Sequence, residues 1–317
     1  MPEAVKSTPE VIKDHPSPDV PAGLPAAKPE KPRSLWTDAW HDLRRNPLFI
    51  VSAVLIVVLL VMAIAPGLFT GADPRHADLA KHYLQHPKWG NVFSEDWFGY
   101  DIQGRSIYAR VIYGARASIS VAVVVTVLVT VLGTIVGMLA GYFGGWIDTL
   151  LSRVTDIFFG VPFILGAMVV LTSFTERSLW VVILALAFLG WTQIARVARG
   201  SVITVKQADY VMAARALGAS TTRILLRHIL PNAIAPVIVV ATIALGGYIS
   251  AEATLSFLGI GLAEPTVSWG VDISSGQEQL RNAPYVLVIP SVMVSITVLA
   301  FIMLGDAVRN ALDPKLR

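Results

Sequence analysis

The sequence predicts an all-α protein that crosses a membrane several times. Of its 317 residues, 54% are hydrophobic and 15% are charged. The apolar residues are gathered into runs that approach the length of about 20 residues needed by a bilayer-spanning helix. Such continuous runs favour helices, because strands of a membrane barrel would alternate apolar and polar residues. We expect about six transmembrane helices, within Leu48–Ala65, Ser118–Ala140, Ile157–Thr172, Leu179–Ile194, Ile234–Ala253 and Val286–Leu304.

The chain ahead of the first span has the composition of a tail. Residues 1–33 are rich in proline, lysine and glutamate and carry little apolar surface, so we expect disorder there. Residues 34–47 place Trp36 and Trp40 beside aliphatic positions at helical spacing, which predicts an interfacial helix or an apolar linker. The segment 48–66 is then expected to be a retained first span, since no signal-peptide pattern precedes it.

The distribution of lysine and arginine predicts that both termini lie in the cytosol. With this orientation, residues 67–117 form an external loop of mixed charge, residues 118–306 form the core, and residues 307–317 form a cytosolic tail. The net charge of +3 follows from this topology, so no nucleic acid is expected as a partner. The chain has no cysteine, which excludes disulfides and thiolate metal ligands.

A basic, amphipathic insert at about 207–231 separates two apolar spans and is too polar to cross the membrane. Small and apolar side chains recur at helical spacing up to Gly218, which can end a helix in a left-handed cap. Ser220 can cap a second short helix, and Pro231 can open the next span. Such a helical pair either lies on lipid headgroups or docks on a cytosolic protein.

The spacing of Ala213-Ala214, Gly218 and Leu230-Pro231 in this insert resembles the "EAA" loop of ABC-importer permeases, the element that docks on the ATPase subunits. Met212 stands where that family usually has glutamate, so one polar contact to the ATPase is not carried over. The resemblance implies that the ATPase-coupling residues are Asp209, Tyr210, Ala213, Ala214, Arg215, Gly218, Ala219, Ser220, Leu230 and Pro231.

A wider resemblance covers residues 44 to 306 and rests on several motifs. These motifs are Phe98–Arg105, Val111–Arg116, Gly141–Asp148, Leu255–Gly261 and Ser268–Gly270. Together they resemble the second permease of dipeptide, oligopeptide and nickel importers. The resemblance implies a type I importer permease fold in the bacterial cytoplasmic membrane. It also implies a homologous second permease, two cytosolic ATPase subunits or domains, and an extracytoplasmic substrate-binding protein as partners, besides membrane lipid.

The chain has no Gly-x4-Gly-Lys-Ser/Thr sequence, so it lacks a phosphate-binding loop of the Walker type. We therefore expect a non-catalytic subunit without a cofactor or metal of its own, with ATP and Mg²⁺ bound by the ATPase partners. The resemblance implies peptides as the cargo, with nickel chelates or other small solutes as the alternative. A secondary transporter would need ionisable groups deep in its spans, and a membrane enzyme would need a catalytic constellation; neither pattern is evident in the sequence.

Several further residues have two interpretations each. Glu252, near the outer end of the fifth span, could meet the amino group of a peptide or make a structural hydrogen bond. Asp148 and Asp156, clustered with Arg153, could form a gate-stabilising ion pair or lie at solvated helix ends. Four glycines recur at every fourth position and predict close helix packing more strongly than a pore lining: Gly133, Gly137, Gly141 and Gly145.

One histidine pair is a candidate metal site. His82 and His86 are four residues apart in the loop that is expected to be external. This spacing is compatible with a pair of metal ligands. The alternative is that both are ordinary exposed loop residues.

Overall fold

The computed structural model describes residues 40–312, and within this range the chain is helical, with one isolated β-bridge between Tyr100 and Ser106. Five of its helices are long and apolar enough to cross a membrane, and a sixth crossing results if one bent pair of helices counts as one span. The helices are α1 Pro47–Ile64, α2 Ile107–Phe143, α3 Gly145–Gly160, α4 Phe163–Thr172, α5 Leu179–Lys206, α6 Asp209–Ala216, α7 Thr221–Phe257, α8 Trp269–Gly276 and α9 Tyr285–Leu312.

The prediction of a single third helix over Ile157–Thr172 is wrong. Helix α3 ends at Gly160, and α4 starts at Phe163 at an angle of 85° to it. Pro162 lies at the break; it has no N–H and disfavours helical dihedrals at the residue before it, and Val161 is accordingly extended, with φ −80° and ψ 123°. Hydropathy could not detect this break, because the residues on both sides of it are apolar.

Several helices extend beyond their apolar runs. Helix α2 begins at Ile107 rather than at Ser118, so the external loop predicted to reach 117 is shorter. Helix α5 continues to Lys206, and α9 continues to Leu312, which places the start of the predicted 307–317 tail inside a helix. In each case the helix continues for several turns that carry charged residues beyond the apolar run from which the span was predicted. The predictions for 1–33, for most of 34–47 and for 313–317 lie outside the described residues.

The glycine stripe of α2 lets α5 approach it closely, which confirms the packing interpretation for its first three members. A Cβ atom added to Gly137 would lie 2.4 Å from the carbonyl oxygen of Ala195, and one added to Gly133 would lie 2.7 Å from Ile194. The fourth member, Gly145, does not pack in this way: it has φ 55° and lies at the turn between α2 and α3. At the first three positions, side chains larger than hydrogen would therefore separate α2 from α5.

The helices form a bundle with two distinct ends. Helix α7 packs against α2, α5 and α9, while α1 packs against α2 and α9. The insert at 207–231 lies beside the C-terminus of α2, and we call this the insert end. Helix α8 lies beside the N-terminal part of α2 and the C-terminal part of α7, which we call the opposite end. The arrangement places candidate residues of both ends on the same long helices.

Candidate functional site

The insert begins with α6, which ends in the predicted left-handed cap. Gly218 has φ 76°, and its N–H donates to the carbonyl oxygen of Arg215 at 3.0 Å. The next N–H, of Ala219, reaches back to the carbonyl oxygen of Ala214 at 3.0 Å. These paired bonds form a Schellman motif, which satisfies carbonyl groups at the helix end and reverses the chain. Glycine suits this position because other L-residues are strained at such a φ.

The second half of the insert differs from the prediction of a separate short helix. Ser220 occupies the N-cap position, but its side chain makes no capping hydrogen bond. The chain then forms one α-helical turn and a π-helical segment, Ile224–Ile229, and continues directly into the fifth span. Pro231 lies just after this wider segment. A π-helical segment is one way in which a helix accommodates a break in its regular hydrogen-bond ladder, and Pro231 supplies no N–H to that ladder.

The buried side of the insert is attached to three long helices. Val211 of α6 is fully buried in a cluster with Tyr142 at the end of α2 and Val202 near the end of α5. Ile224 and Leu225 at the start of α7 complete the same cluster. The Lys206 ammonium of α5 also donates to the carbonyl oxygen of Tyr142 at 2.6 Å. The insert is thus packed against the bundle and is not a loop without tertiary contacts.

The other side of the insert exposes apolar side chains. Leu217 at the tip is 89% exposed, Met212 is 52% exposed, and Tyr210 is 46% exposed. Most of the other ATPase-coupling residues implied by the resemblance are exposed as well, and three of them are partly buried. We call this surface the insert face, and its exposed members are Asp209, Tyr210, Met212, Ala213, Arg215, Leu217, Gly218, Ser220 and Pro231, with Ala214, Ala219 and Leu230 partly buried. Exposed apolar side chains with a basic residue, Arg215, among them are typical of an interaction site.

Two ion pairs join α3 to α5 near the insert end. Arg199 donates to both carboxylate oxygens of Asp148, at 2.5 and 2.7 Å, and the Asp148 side chain is 21% exposed. Arg196 pairs with Asp156 at 2.9 Å, with both side chains about half exposed. The sequence placed Asp148 and Asp156 beside Arg153, but their partners come from α5. These contacts are inter-helix ion pairs rather than isolated solvated helix ends.

Glu252 is fully buried and accepts three hydrogen bonds from serines. Its Oε2 accepts from Ser118 of α2 at 2.9 Å, and its Oε1 accepts from Ser256 at 2.9 Å and from Ser268 at 3.3 Å. Each serine oxygen also accepts a backbone N–H, from Trp269, Leu262 and Val271 respectively. The arrangement fits the structural interpretation of Glu252, since the carboxylate joins α2, α7 and the start of α8 at the opposite end.

Sequence reasoning missed a charged cluster next to this carboxylate. Arg105 donates to Asp101 at 2.7 Å and to Glu264 at 2.8 Å, while Arg110 donates to Asp272 at 2.7 Å and to Glu264 at 3.3 Å. Both arginines are at least 95% buried. Burial raises the pKa of the Asp272 carboxyl, and the Arg110 guanidinium opposes that shift. Arg110 lies between aliphatic residues, a position that can indicate a buried charge. The predicted span began at Ser118, so Arg110 was assigned to the loop.

The two histidines of the loop have separate partners. His82 stacks on Tyr100 with ring centres 4.3 Å apart, and its Nδ1 lies 2.9 Å from the side-chain oxygen of Gln85. His86 packs against the ring of Tyr285 at 5.6 Å. Within residues 40–312 no group of three metal-ligating side chains comes together. The pair contributes to loop packing in the described part of the chain.

Comparison with known proteins places this bundle in a family. Residues 133–317 match the binding-protein-dependent transport system inner membrane component family, and residues 34–87 match the N-terminal TM domain of oligopeptide transport permease C. The glutathione transport system permease protein GsiD of Shigella flexneri serotype 5b is 38% identical over 93% of this chain and 95% of its own length. GsiD of Escherichia coli O6:K15:H31 is 36% identical over the same shares.

The fold comparison agrees with the sequence comparison. The chain is similar to an inward-facing structure of the MetNI methionine ABC transporter, with a TM-score of 0.52 and 22% identity. The match covers 64% of this chain and 96% of the other. At this identity the likeness supports the helical architecture only. The family match and the GsiD relatives carry the assignment: the chain belongs to the binding-protein-dependent transport system inner membrane components, the permease subunits of ABC importers.

Proposed function

We propose that this permease translocates di- or oligopeptides across the bacterial cytoplasmic membrane, with both termini in the cytosol. The oligopeptide-permease match at residues 34–87 supports a peptide cargo, and so do the relatives described as glutathione permeases, because glutathione is itself a tripeptide. The cytosolic orientation is supported by the basic residues of the insert end, including Arg215.

The insert face is the proposed docking surface for the ATPase subunits, which bind ATP and Mg²⁺. The observation that carries this proposal is the contrast between its two sides. Leu217 and Met212 are exposed at its surface, whereas Val211 is buried against the ends of α2, α5 and α7. A partner that binds the exposed side can therefore move those helices through packed side chains. ATP-driven closure of the ATPases would then shift the bundle between inward-open and outward-open states.

The complete transporter in this proposal contains more than this chain. A homologous second permease forms the other half of the membrane unit, two ATPase subunits or domains bind at the insert face and its counterpart, and an extracytoplasmic substrate-binding protein delivers the peptide. Family members work as parts of such importers. The ion pair Asp148–Arg199 couples α3 to α5 beside the insert and would steady the inner gate in one of the two states.

The docking proposal is tested with Leu217→Asp in the co-expressed complex. Placing a carboxylate at the most exposed apolar position of the insert face should abolish co-purification of the ATPases and peptide uptake into liposomes. Leu280→Asp is the matched control, because Leu280 is also exposed, at 52%, but lies between α8 and α9. Normal ATPase binding by Leu217→Asp would contradict the docking surface. A complex that hydrolyses ATP but transports nickel chelates instead of peptides would contradict the cargo.

A further inference from the structure

A cavity of about 560 Å³ lies where the α3–α4 break meets α5 and α7. Aromatic residues of the break, Phe158 and Phe163, form one side of it, and Tyr248 of α7 and Gln193 of α5 contribute to the other. All of these residues belong to helices that are long and apolar enough to cross a membrane, or to the bent pair α3–α4. Polar groups in segments of this kind need a specific reason.

Three polar side chains of this cavity have no hydrogen-bond partner among residues 40–312. They are the exposed amide of Gln193, the exposed hydroxyl of Ser250, and the hydroxyl of Thr192, whose residue is only 5% exposed. Unpaired amide and hydroxyl groups are costly against lipid chains. These side chains are explained if they face water and a polar cargo rather than lipid.

The backbone supplies an independent observation at the same place. The non-helical residues Val161 and Pro162 between α3 and α4 are exposed, and both line the cavity. Non-helical backbone within a membrane is tolerated where protein covers it or where it borders a water-filled cavity, and broken helices of transporters often mark the cargo site. The break and the unpaired side chains therefore point to the same aqueous space.

We propose that this cavity is one wall of the transport path and that Gln193, Thr192 and Ser250 hydrogen bond to backbone amides of the cargo. This inference rests on the proposed function. The lining contains no acidic, basic or imidazole side chain, and the Tyr248 hydroxyl already donates to the carbonyl oxygen of Gly190 at 3.2 Å. Neutral donors and acceptors suit the peptide backbone whatever side chains it carries, and the aromatic side can receive those side chains. The wall offers no anionic or imidazole ligand to a metal.

Cysteine labelling tests the position of the path directly, because the chain has no cysteine of its own. Gln193→Cys and Ser250→Cys are prepared in the full complex and treated with a membrane-impermeant thiol reagent, with the parent complex as background. Val127→Cys is the control, since Val127 is 55% exposed on the apolar surface of α2. We expect labelling at 193 and 250 but not at 127. A dipeptide at about ten times its Kd should slow that labelling roughly tenfold through occupancy of the site.

The outcomes separate this inference from the proposed function. An active parent complex whose Gln193→Cys variant labels no faster than Val127→Cys, or labels at the same rate with peptide present, overturns the cavity assignment alone. A parent complex without peptide uptake overturns both proposals. Slower labelling in the presence of peptide, in a complex that takes up peptide, supports both.

A second test measures whether an added negative charge at position 193 changes the preference for positively charged dipeptides. Gln193→Glu keeps the size of the side chain and adds a negative charge to a neutral wall. The ratio of uptake for a lysine-containing dipeptide over a glutamate-containing one should rise roughly tenfold, about 1.4 kcal/mol, because the new charge attracts the first cargo and repels the second at contact distance. Gln277→Glu, the same substitution at an exposed turn after α8, should leave the ratio unchanged. Equal ratios in both variants would contradict cargo contact at Gln193.

Discussion

Replacing Glu252 should loosen the opposite end of the bundle by an amount that follows from its three hydrogen bonds. Glu252→Leu leaves the hydroxyls of Ser118, Ser256 and Ser268 without their acceptor in a fully buried site. Each unsatisfied buried group costs about 1–3 kcal/mol, so we expect a total of roughly 3–6 kcal/mol after some relaxation. Glu252→Gln retains one acceptor oxygen and should cost only about 1–3 kcal/mol.

The assay is the apparent melting temperature of the purified complex, followed by limited proteolysis of the segment between α7 and α8. Both readouts should change in the order Leu, Gln, wild type, because Ser256 and Ser268 at the ends of this segment depend on the carboxylate. Thr242→Val on the same helix is the control, since it removes only a local bond to the carbonyl oxygen of Ile238. A Glu252→Leu complex with unchanged melting and proteolysis would refute the reasoning.

Three further predictions concern the two ends. Gly218→Ala should cost about 1–2 kcal/mol through its left-handed φ and weaken ATPase binding, whereas unaltered binding affinity in a pull-down titration would argue against a shaped insert. A double-mutant cycle of Asp148→Asn and Arg199→Gln should give a coupling of about 0.2–1 kcal/mol in melting measurements, since the pair is partly exposed; zero coupling would contradict the inter-helix contact. The Lys88 ammonium holds the pKa of Asp96 below its usual range, so this carboxylate stabilises its loop above about pH 4 and loses that effect as pH falls through the lower folded pKa. Lys88→Met should therefore shift acid-induced proteolysis of the loop to higher pH, and an unshifted profile would contradict the ion pair.

The sequence predicted the helical class and the insert because both depend on local patterns. Apolar runs identify spans wherever they fall in a chain, and Gly218 marks a helix end through its own φ preference. The break at Val161–Pro162 was missed because hydropathy averages across it. A proline within an apolar run is compatible with a kinked span as well as with a break, and the choice depends on packing against α5 and α7.

The polar contacts of the opposite end could not be predicted for a different reason. Arg110 and Asp272 are far apart in the chain, and only the fold brings the two side chains within 2.7 Å. Of the serines around Glu252, Ser118 is 134 residues away in the chain and Ser268 is 16 away, whereas Ser256 is four residues away on the same helix. A single sequence contains no record of such pairings, whereas the periodicity of a helix is visible within a few turns. Local order was thus predictable, and long-range polar order was not.

Helix α7 connects the insert, the proposed cargo cavity and the buried serine network. Its 37 residues extend about 55 Å at 1.5 Å per residue, with Ile224 packed in the insert cluster, Ser250 in the cavity and Glu252 in the serine network. If the insert moves as proposed, α7 carries that movement to the cavity wall as one continuous element. Because the cavity lies near the Glu252 end of α7 and the insert packs at the other end, substitutions at Gln193 should alter which peptide is carried while leaving ATPase binding intact. Substitutions at Leu217 should weaken ATPase binding without altering the preferred peptide. If adding Leu217→Asp changed which dipeptide slows the labelling of Gln193→Cys, that result would contradict this division along the helix.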